Sequence, residues 1–496
     1  MPKKVLIICL AIALLEGFAG LGIEIYAIRI SATYIGSSIA ITGVILAMVL
    51  IAIATGYWYG GKLSAGVTTP RHALITAGRV LSLSAFCHAI ACILQIPLLA
   101  ALTVFVDNAI VAAICVGLLY GVGLTLGSTC IPLITQFLTL QYEAHGKVDA
   151  GKNAGTMVAI TTIGSVLGST VTPILLLPYI GLMYSFALFI ICLSVSAYLC
   201  TTLAAQATGS AALKLDDNKP STVINYMVTT TAVIITSLFV VLNTLNTGIQ
   251  TPAGTWFIQD SEWEGHPSTT ISDTPRHLSS CWDHVAKKSC FWYGDRAIES
   301  ATSVSANTLV FLGGAGMAIP AEYATKNPSA KLVVVDIDTA LKEISEERFL
   351  KMPLPSNIAF VGDDGRGYLA RYKGDKFDFM LVDAFRGPYV VGHLYTTEAL
   401  ALMASKSRYL MANIIATPDF NHKYTQTLLN NWLSVFGDSA YIVRNHEEHT
   451  RQNLILCNFA CVGSVRLSDV DYLDQNSELH TDNLPTLDKY QYRSIL

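Results

Sequence analysis

Charge is what this chain has least of: only 14% of its 496 residues are Asp, Glu, Lys or Arg. Ordinary soluble domains carry about 25% charged residues, so a purely soluble protein is excluded. An excess of positive charge is absent as well. The net charge is −4 and the pI near 6.3, which removes any long-range attraction for a nucleic-acid backbone, and nucleic acid is excluded as a partner. A small-residue cleavage site after a short apolar core is also missing. The run that follows Met1-Pro2-Lys3-Lys4 continues to about Tyr26 with Glu16 and Glu24 inside it, and reads as a retained first span rather than a removed signal peptide.

Apolar residues, by contrast, are plentiful: 52% of the chain is hydrophobic and the mean hydropathy is +0.47. The length requires more than one domain. Runs of about twenty apolar residues, each able to cross about 30 Å of hydrocarbon, recur up to roughly Asn246. They predict seven spans near 5–26, 39–60, 80–104, 109–138, 155–177, 181–205 and 225–246. Small residues recur inside them (Gly121, Gly123, Gly127, Ser128; Gly164, Ser165, Gly168, Ser169), as expected where helix backbones approach closely in lipid. Ionisable groups in such segments are costly and face a cavity or one another. Glu16, Glu24 and Arg29 are of this kind, and Glu24 with Arg29 reads either as an ion pair near the interface or as part of a substrate path.

Lys3, Lys4, Lys62, Arg71, Arg79, Lys147, Lys152, Lys214 and Lys219 all fall on the side of the alternation that holds the N-terminus. By the excess of cationic residues in cytoplasmic loops, the N-terminus is cytoplasmic. An odd number of spans then leaves the C-terminal part outside. A miscount in the long 109–138 run would leave it inside, and the side stays open at this stage.

Seven of the eleven cysteines lie in apolar stretches and read as small buried hydrophobes. Cys457 and Cys461, in a strand-like run, read as core filling. Cys281 and Cys290 flank a polar segment at a spacing that a disulfide closes in an oxidising compartment, and free thiols are the equal alternative.

The expected domains are a helical membrane bundle over 1–246, a polar and aromatic, β-rich lead-in over 247–306, and an α/β Rossmann-like domain of the class I methyltransferase type over 307–496. The lead-in carries Trp256, Trp263, Trp282 and Trp292 and reads as a cap over the site or as a connector. Beyond it, Leu309–Leu312, Leu332–Val335, Asn357–Val361 and Phe379–Val382 are strand-like and alternate with helix-like stretches, the pattern of a parallel, doubly wound sheet.

Polar strand ends converge in this pattern. Gly313-Gly314-Ala315-Gly316 follows the first strand, where glycines tighten the turn and admit a ligand against the backbone. Asp336 closes the second strand, where a carboxylate can accept both ribose hydroxyls. Asp363 and Asp364 end the third, and either could reach an adenine amino group. Asp383 ends the fourth, over the reactive part of a ligand. Asp338, just before Thr339-Ala340-Leu341, reads as a helix cap. His393 and Tyr395 follow Asp383 in a loop and line the pocket or pack on the surface.

These residues carry a resemblance. LGGAGMAIP (312–320), VVDID (334–338), VGDDGRGYL (361–369), LVDAF (381–385) and GPYVVGHLYTTEAL (387–400) resemble the spermidine synthase family of aminopropyltransferases. LEGFAGLGIEIYAIRISATYIGSS (15–38) and GYWYGGKLS (56–64) resemble the membrane part of bacterial proteins that fuse such a domain to a helical bundle, which implies a bacterial inner membrane. The resemblance implies that Gly313, Gly314 and Gly316 cradle the methionine part of S-adenosylmethionine or its decarboxylated form. It implies ribose at Asp336, adenine at Asp363, and proton removal from an attacking amine at Asp383. Besides lipid, the implied partners are a small-molecule amine or other acceptor and a second copy of the chain; no metal is expected.

The sequence departs from the family at three places. Gly316 stands where spermidine-forming members have an acid, Arg386 stands where they have a second acid, and the Tyr-His-Glu-type segment before the first strand has no evident counterpart in 280–306. Arg386 suits the carboxylate of intact S-adenosylmethionine. Aminocarboxypropyl transfer, methyl transfer and cleavage of the cofactor by elimination therefore stand beside aminopropyl transfer, and a transporter with a regulatory nucleoside-binding domain is the reading from another class.

Overall fold

A computed structural model describes residues 3–491 except 36–38, 106–108, 144–149, 207–218, 244–247, 252, 275–277, 388, 417–421, 445–451, 471–472, 475–477 and 485. It divides into two compact units, Met1–Gln250 and Thr251–Leu496.

The first unit is helical: α1 (Lys3–Ile35), α2 (Ile39–Ala65), α3 (Pro70–Phe105), α4 (Ala109–Ser128), α5 (Cys130–Glu143), α6 (Ala150–Val171), α7 (Leu177–Gln206) and α8 (Lys219–Asn243), followed by the short strand β1 (Ile249–Gln250). Among the described residues, six continuous helical segments are long and apolar enough to cross a membrane. One of them, Ala150–Gln206, runs for 57 residues. It is broken by a π-helical turn at Thr172–Leu176 and by Gly181, whose φ of 79° and ψ of 175° are not helical. The break coincides with the division expected between 155–177 and 181–205. The long run expected at 109–138 is a single segment, Ile110–Glu143. Where α1 crosses α6, glycine is obligatory: a Cβ on Gly164 would lie 2.2 Å from the Leu14 carbonyl oxygen, and one on Gly168 2.3 Å from that of Phe18.

The second unit opens with antiparallel strands β2 (Thr255–Trp263), β3 (His266–Ser272), β4 (Ser280–Asp283) and β5 (Lys288–Ser289). A disulfide joins Cys281 in β4 to Cys290, just beyond β5. Helix α9 (Trp292–Ser303) then leads into β6 (Thr308–Gly313), α10 (Ala318–Lys326), β7 (Lys331–Asp336), α11 (Leu341–Ile344), β8 (Ile358–Gly362), α12 (Gly365–Arg371) and β9 (Phe377–Asp383). The short strands β10 (Phe385–Arg386) and β11 (Tyr389–Val390) form a ribbon. The chain continues through α13 (Thr397–Lys406), β12 (Ser407–Ala416), α14 (Lys423–Phe436), β13 (Tyr441–Val443), β14 (Gln452–Cys457), β15 (Val465–Arg466) and α15 (Thr486–Gln491).

The eight-stranded sheet has the order β15-β13-β14-β12-β9-β6-β7-β8. Five strands, β12 to β8 in that order, are parallel; β13, β14 and β15 join antiparallel. The sheet is therefore mixed rather than wholly parallel, because the link from β13 to β14 is too short for a crossover helix and antiparallel pairing needs none. Alternation puts Val310 and Leu312 on one face of β6, in a core shared with Leu369, Leu400, Met403, Leu428 and Trp432 from the helices. Leu309 and Phe311 are buried on the other face.

Cys457 and Cys461 also form a disulfide, which corrects the reading of both as core filling. Cys457 ends β14 and Cys461 lies beyond it in a turn that brings the thiols together, so the two are not spaced along one strand. The seven free cysteines all belong to the helical unit.

Candidate active site

The register of the parallel strands assembles the site. Gly313 pairs with Asp383 across β6 and β9, Asp336 pairs with Gly362 across β7 and β8, and the Asp363 amide donates to the Asp336 carbonyl at 2.9 Å. Asp383, Gly313, Asp336 and Asp363 thus stand in that order along the carboxyl edge of four adjacent strands. At about 4.8 Å per strand the row spans roughly 14 Å, the length of an adenosyl group with its tail.

Asp383 is half-buried at the strand end. Burial pushes its carboxyl up to about 6, against the opposing pull of hydrogen bonds from Asn413 and Tyr293. Asn413, in β12, donates from Nδ2 to Asp383 Oδ1 at 2.9 Å. Asn413 is buried, and its Oδ1 has no hydrogen-bond partner among the described residues. Tyr293, in the first turn of α9, gives its hydroxyl to Asp383; burial, and then the Asp383 charge, hold the phenol well above its ordinary range. Sequence reasoning singled out no residue of 280–306 for this site, and Tyr293 is one that it missed.

Asp336 is likewise enclosed, and burial raises it to about 6 although it accepts the Asp338 amide at 2.9 Å. Asp363 differs: it pairs with Arg371 and stays partly exposed, which holds its carboxyl below the usual range. Asp364 caps α12, accepting the Gly367 amide at 2.7 Å, and contacts His393 Nε2 at 2.7 Å. Both of its oxygens are thus engaged by protein. Asp338 accepts the Ala340 amide through Oδ1, a cap of the turn before α11, while Oδ2 accepts from Thr251 at 2.5 Å and Trp256 Nε1 at 2.6 Å.

Tyr395 is buried behind the site: its ring lies near Asp383, and its hydroxyl donates to the Asn413 carbonyl at 3.0 Å. The Arg386 backbone lies in β10, three residues past Asp383; its side chain lies outside the described residues.

The glycine turn is left-handed at Gly313, Gly314 and Gly316, with φ of 76°, 116° and 75°. A Cβ on Gly314 would meet nothing within 4 Å, whereas one on Gly313 would lie 2.6 Å from the Asp383 carbonyl oxygen. Gly314 is thus the open point where a ligand can approach the backbone. At Gly316 a Cβ would sit 2.4 Å from the Phe349 ring and 3.1 Å from Ile271. The space that a side chain at Gly316 would need is filled by an aromatic ring.

No family model matches the chain. A polyamine aminopropyltransferase of Vibrio vulnificus is 33% identical over 135 residues, which are 26% of this chain and 44% of that protein. The chain thus spans less than half the length of this curated relative. Among solved structures, a probable spermidine synthase from Corynebacterium glutamicum is 19% identical, covering 46% of this chain and 84% of that one at a TM-score of 0.36. Human methyltransferase-like protein 13 in complex with SAH is 17% identical, covering 43% and 91% at 0.28. The curated match bears out the resemblance to the spermidine synthase family read from the motifs.

Proposed function

We propose that the second unit is an aminopropyl-type transferase acting on an S-adenosyl sulfonium and an amine. The observation that carries this reading is the enclosed Asp383 carboxylate, held by Tyr293 and Asn413 beside the glycine turn and in line with Asp336. Gly314 and Asp336 fit the ligand: one leaves room at the backbone, the other offers an acceptor for ribose hydroxyls. Asp383 orients the amine and takes its proton as the nitrogen lone pair forms the new C–N bond. The C–S bond breaks in the same step, its electron pair stays on sulfur, and methylthioadenosine leaves.

The closed space at Gly316 favours a second reading of the same chemistry, in which the donor keeps its carboxylate and Arg386 faces it, giving aminocarboxypropyl transfer. Incubation of the full chain with intact or decarboxylated S-adenosylmethionine and an amine, with mass spectrometry of the nucleoside, tests both. Methylthioadenosine from one donor supports the corresponding reading; S-adenosylhomocysteine indicates a methyltransferase instead.

We infer further that the first unit is embedded in a membrane with the N-terminus cytoplasmic, and that the second lies on the opposite, oxidising side. The 57-residue run broken at 172–181 supplies two crossings, for seven in all. The two disulfides of the second unit, against none in the first among the described residues, support the same side.

A further inference from the structure

Polar groups in the interior of the helical unit fall into two kinds. Those around Gln95 are matched: the Tyr26 and Tyr120 hydroxyls each donate to its Oε1 at 2.8 Å, and the two rings pack on Phe186. Glu16 of α1 and His88 of α3 are not. They are only 5% and 1% exposed, and neither Glu16 Oε2 nor His88 Nε2 has a protein hydrogen-bond partner among the described residues. A carboxylate oxygen and an imidazole nitrogen left unmatched in an apolar helical interior would be disfavoured if their purpose were structural.

Both belong to one locus. His88 Nδ1 lies 2.9 Å from the Ser84 carbonyl oxygen, and the Ser84 hydroxyl donates to the Gly123 carbonyl at 2.7 Å. Helix α4 makes room with two glycines one turn apart. A Cβ on Gly123 would lie 2.3 Å from the His88 ring, and one on Gly127 would lie 3.1 Å from the Ser84 hydroxyl and 3.9 Å from Glu16 Oε1. Among the described residues, the Tyr57 hydroxyl of α2 and the Cys130 thiol of α5 also face Glu16, and Leu193 of α7 lies 3.9 Å from the Gly127 Cβ position. No cationic side chain among these neighbours neutralises the carboxylate, so a proton is the species that completes it.

We propose that Glu16 and His88, on either side of Ser84, form a buried proton-binding site inside the helical unit, so that this unit takes up and releases protons rather than serving only as an anchor. The chemistry is proton exchange alone: Glu16 Oε2 and His88 Nε2 each accept a proton and return it.

The test is infrared difference spectroscopy of the full chain in lipid nanodiscs, with Glu16→Gln and His88→Gln alongside. A protonated-carboxyl band that changes with pH, shifts in deuterated water, disappears in Glu16→Gln and moves in His88→Gln is the expected result. No such band, or one indifferent to both pH and deuteration, would overturn the proposal. Nucleoside release by the second unit, measured on the same samples, reports that the variants are folded. Because it depends on Asp383 and not on Glu16, failure of the proton site and failure of the transferase reading remain distinguishable.

Discussion

The chemistry proposed for Asp383 depends on how one carboxylate is held. With burial raising it to about 6, it is ionised and able to accept a proton only above that value, so kcat/KM should rise with pH through about 6. Asn413→Leu removes a donor that favours the ionised form, so the rising limb should move to higher pH; an unchanged limb would assign Asn413 a packing role only. Asp383→Asn should lower turnover by about 10²–10⁴-fold while leaving the fold intact. Stability runs the other way. Asp336 and Asp383 hold protons more tightly in the folded chain than at their ordinary 3.8, so the ligand-free protein should lose stability as pH rises from there to about 6, read as a falling thermal midpoint. At Gly316, an aspartate would meet the Phe349 ring with a backbone already left-handed, and Gly316→Asp should cost about 1–3 kcal/mol by denaturant titration. Recovery in Gly316→Asp/Phe349→Ala would locate the conflict in that ring.

At the scale of elements, the disulfide Cys281–Cys290 closes the β4–β5 hairpin immediately ahead of the turn that delivers Tyr293 to Asp383. Cys281→Ser should therefore lower activity as well as the thermal midpoint, at a stability cost of about 2 kcal/mol. Cys457→Ser, at the far end of β14, should change the midpoint with little effect on turnover. What was legible in the sequence follows the same division. The glycine turn, Asp336 and Asp383 are each announced by a local strand–turn–helix pattern, and the sheet register brings together what those patterns place at strand ends. Tyr293 and Asn413 were missed because they reach Asp383 from α9 and β12, and no local spacing encodes such a meeting. The Cys457–Cys461 bridge was missed because it depends on a turn after β14, and Phe349 because a π-helical turn carries it beneath Gly316.

At the scale of the whole molecule, composition separates an apolar half from an α/β half, and the structure forms two compact units, Met1–Gln250 and Thr251–Leu496. Seven crossings with a cytoplasmic N-terminus would place the second unit in an oxidising compartment. A membrane-impermeant thiol reagent applied to intact cells after reduction should label Cys290, the partly exposed half of its disulfide, and labelling only after lysis would contradict that placement. The central claim, one adenosyl-binding hollow along four strand ends, is tested most directly by calorimetric titration of the full chain with methylthioadenosine. The account predicts that Asp336→Ala weakens binding by at least about tenfold, the loss of one charged hydrogen-bonding group. It also predicts that Asp383→Asn binds nearly as the parent does while failing to turn over. Equal affinity in the parent and in Asp336→Ala would contradict it.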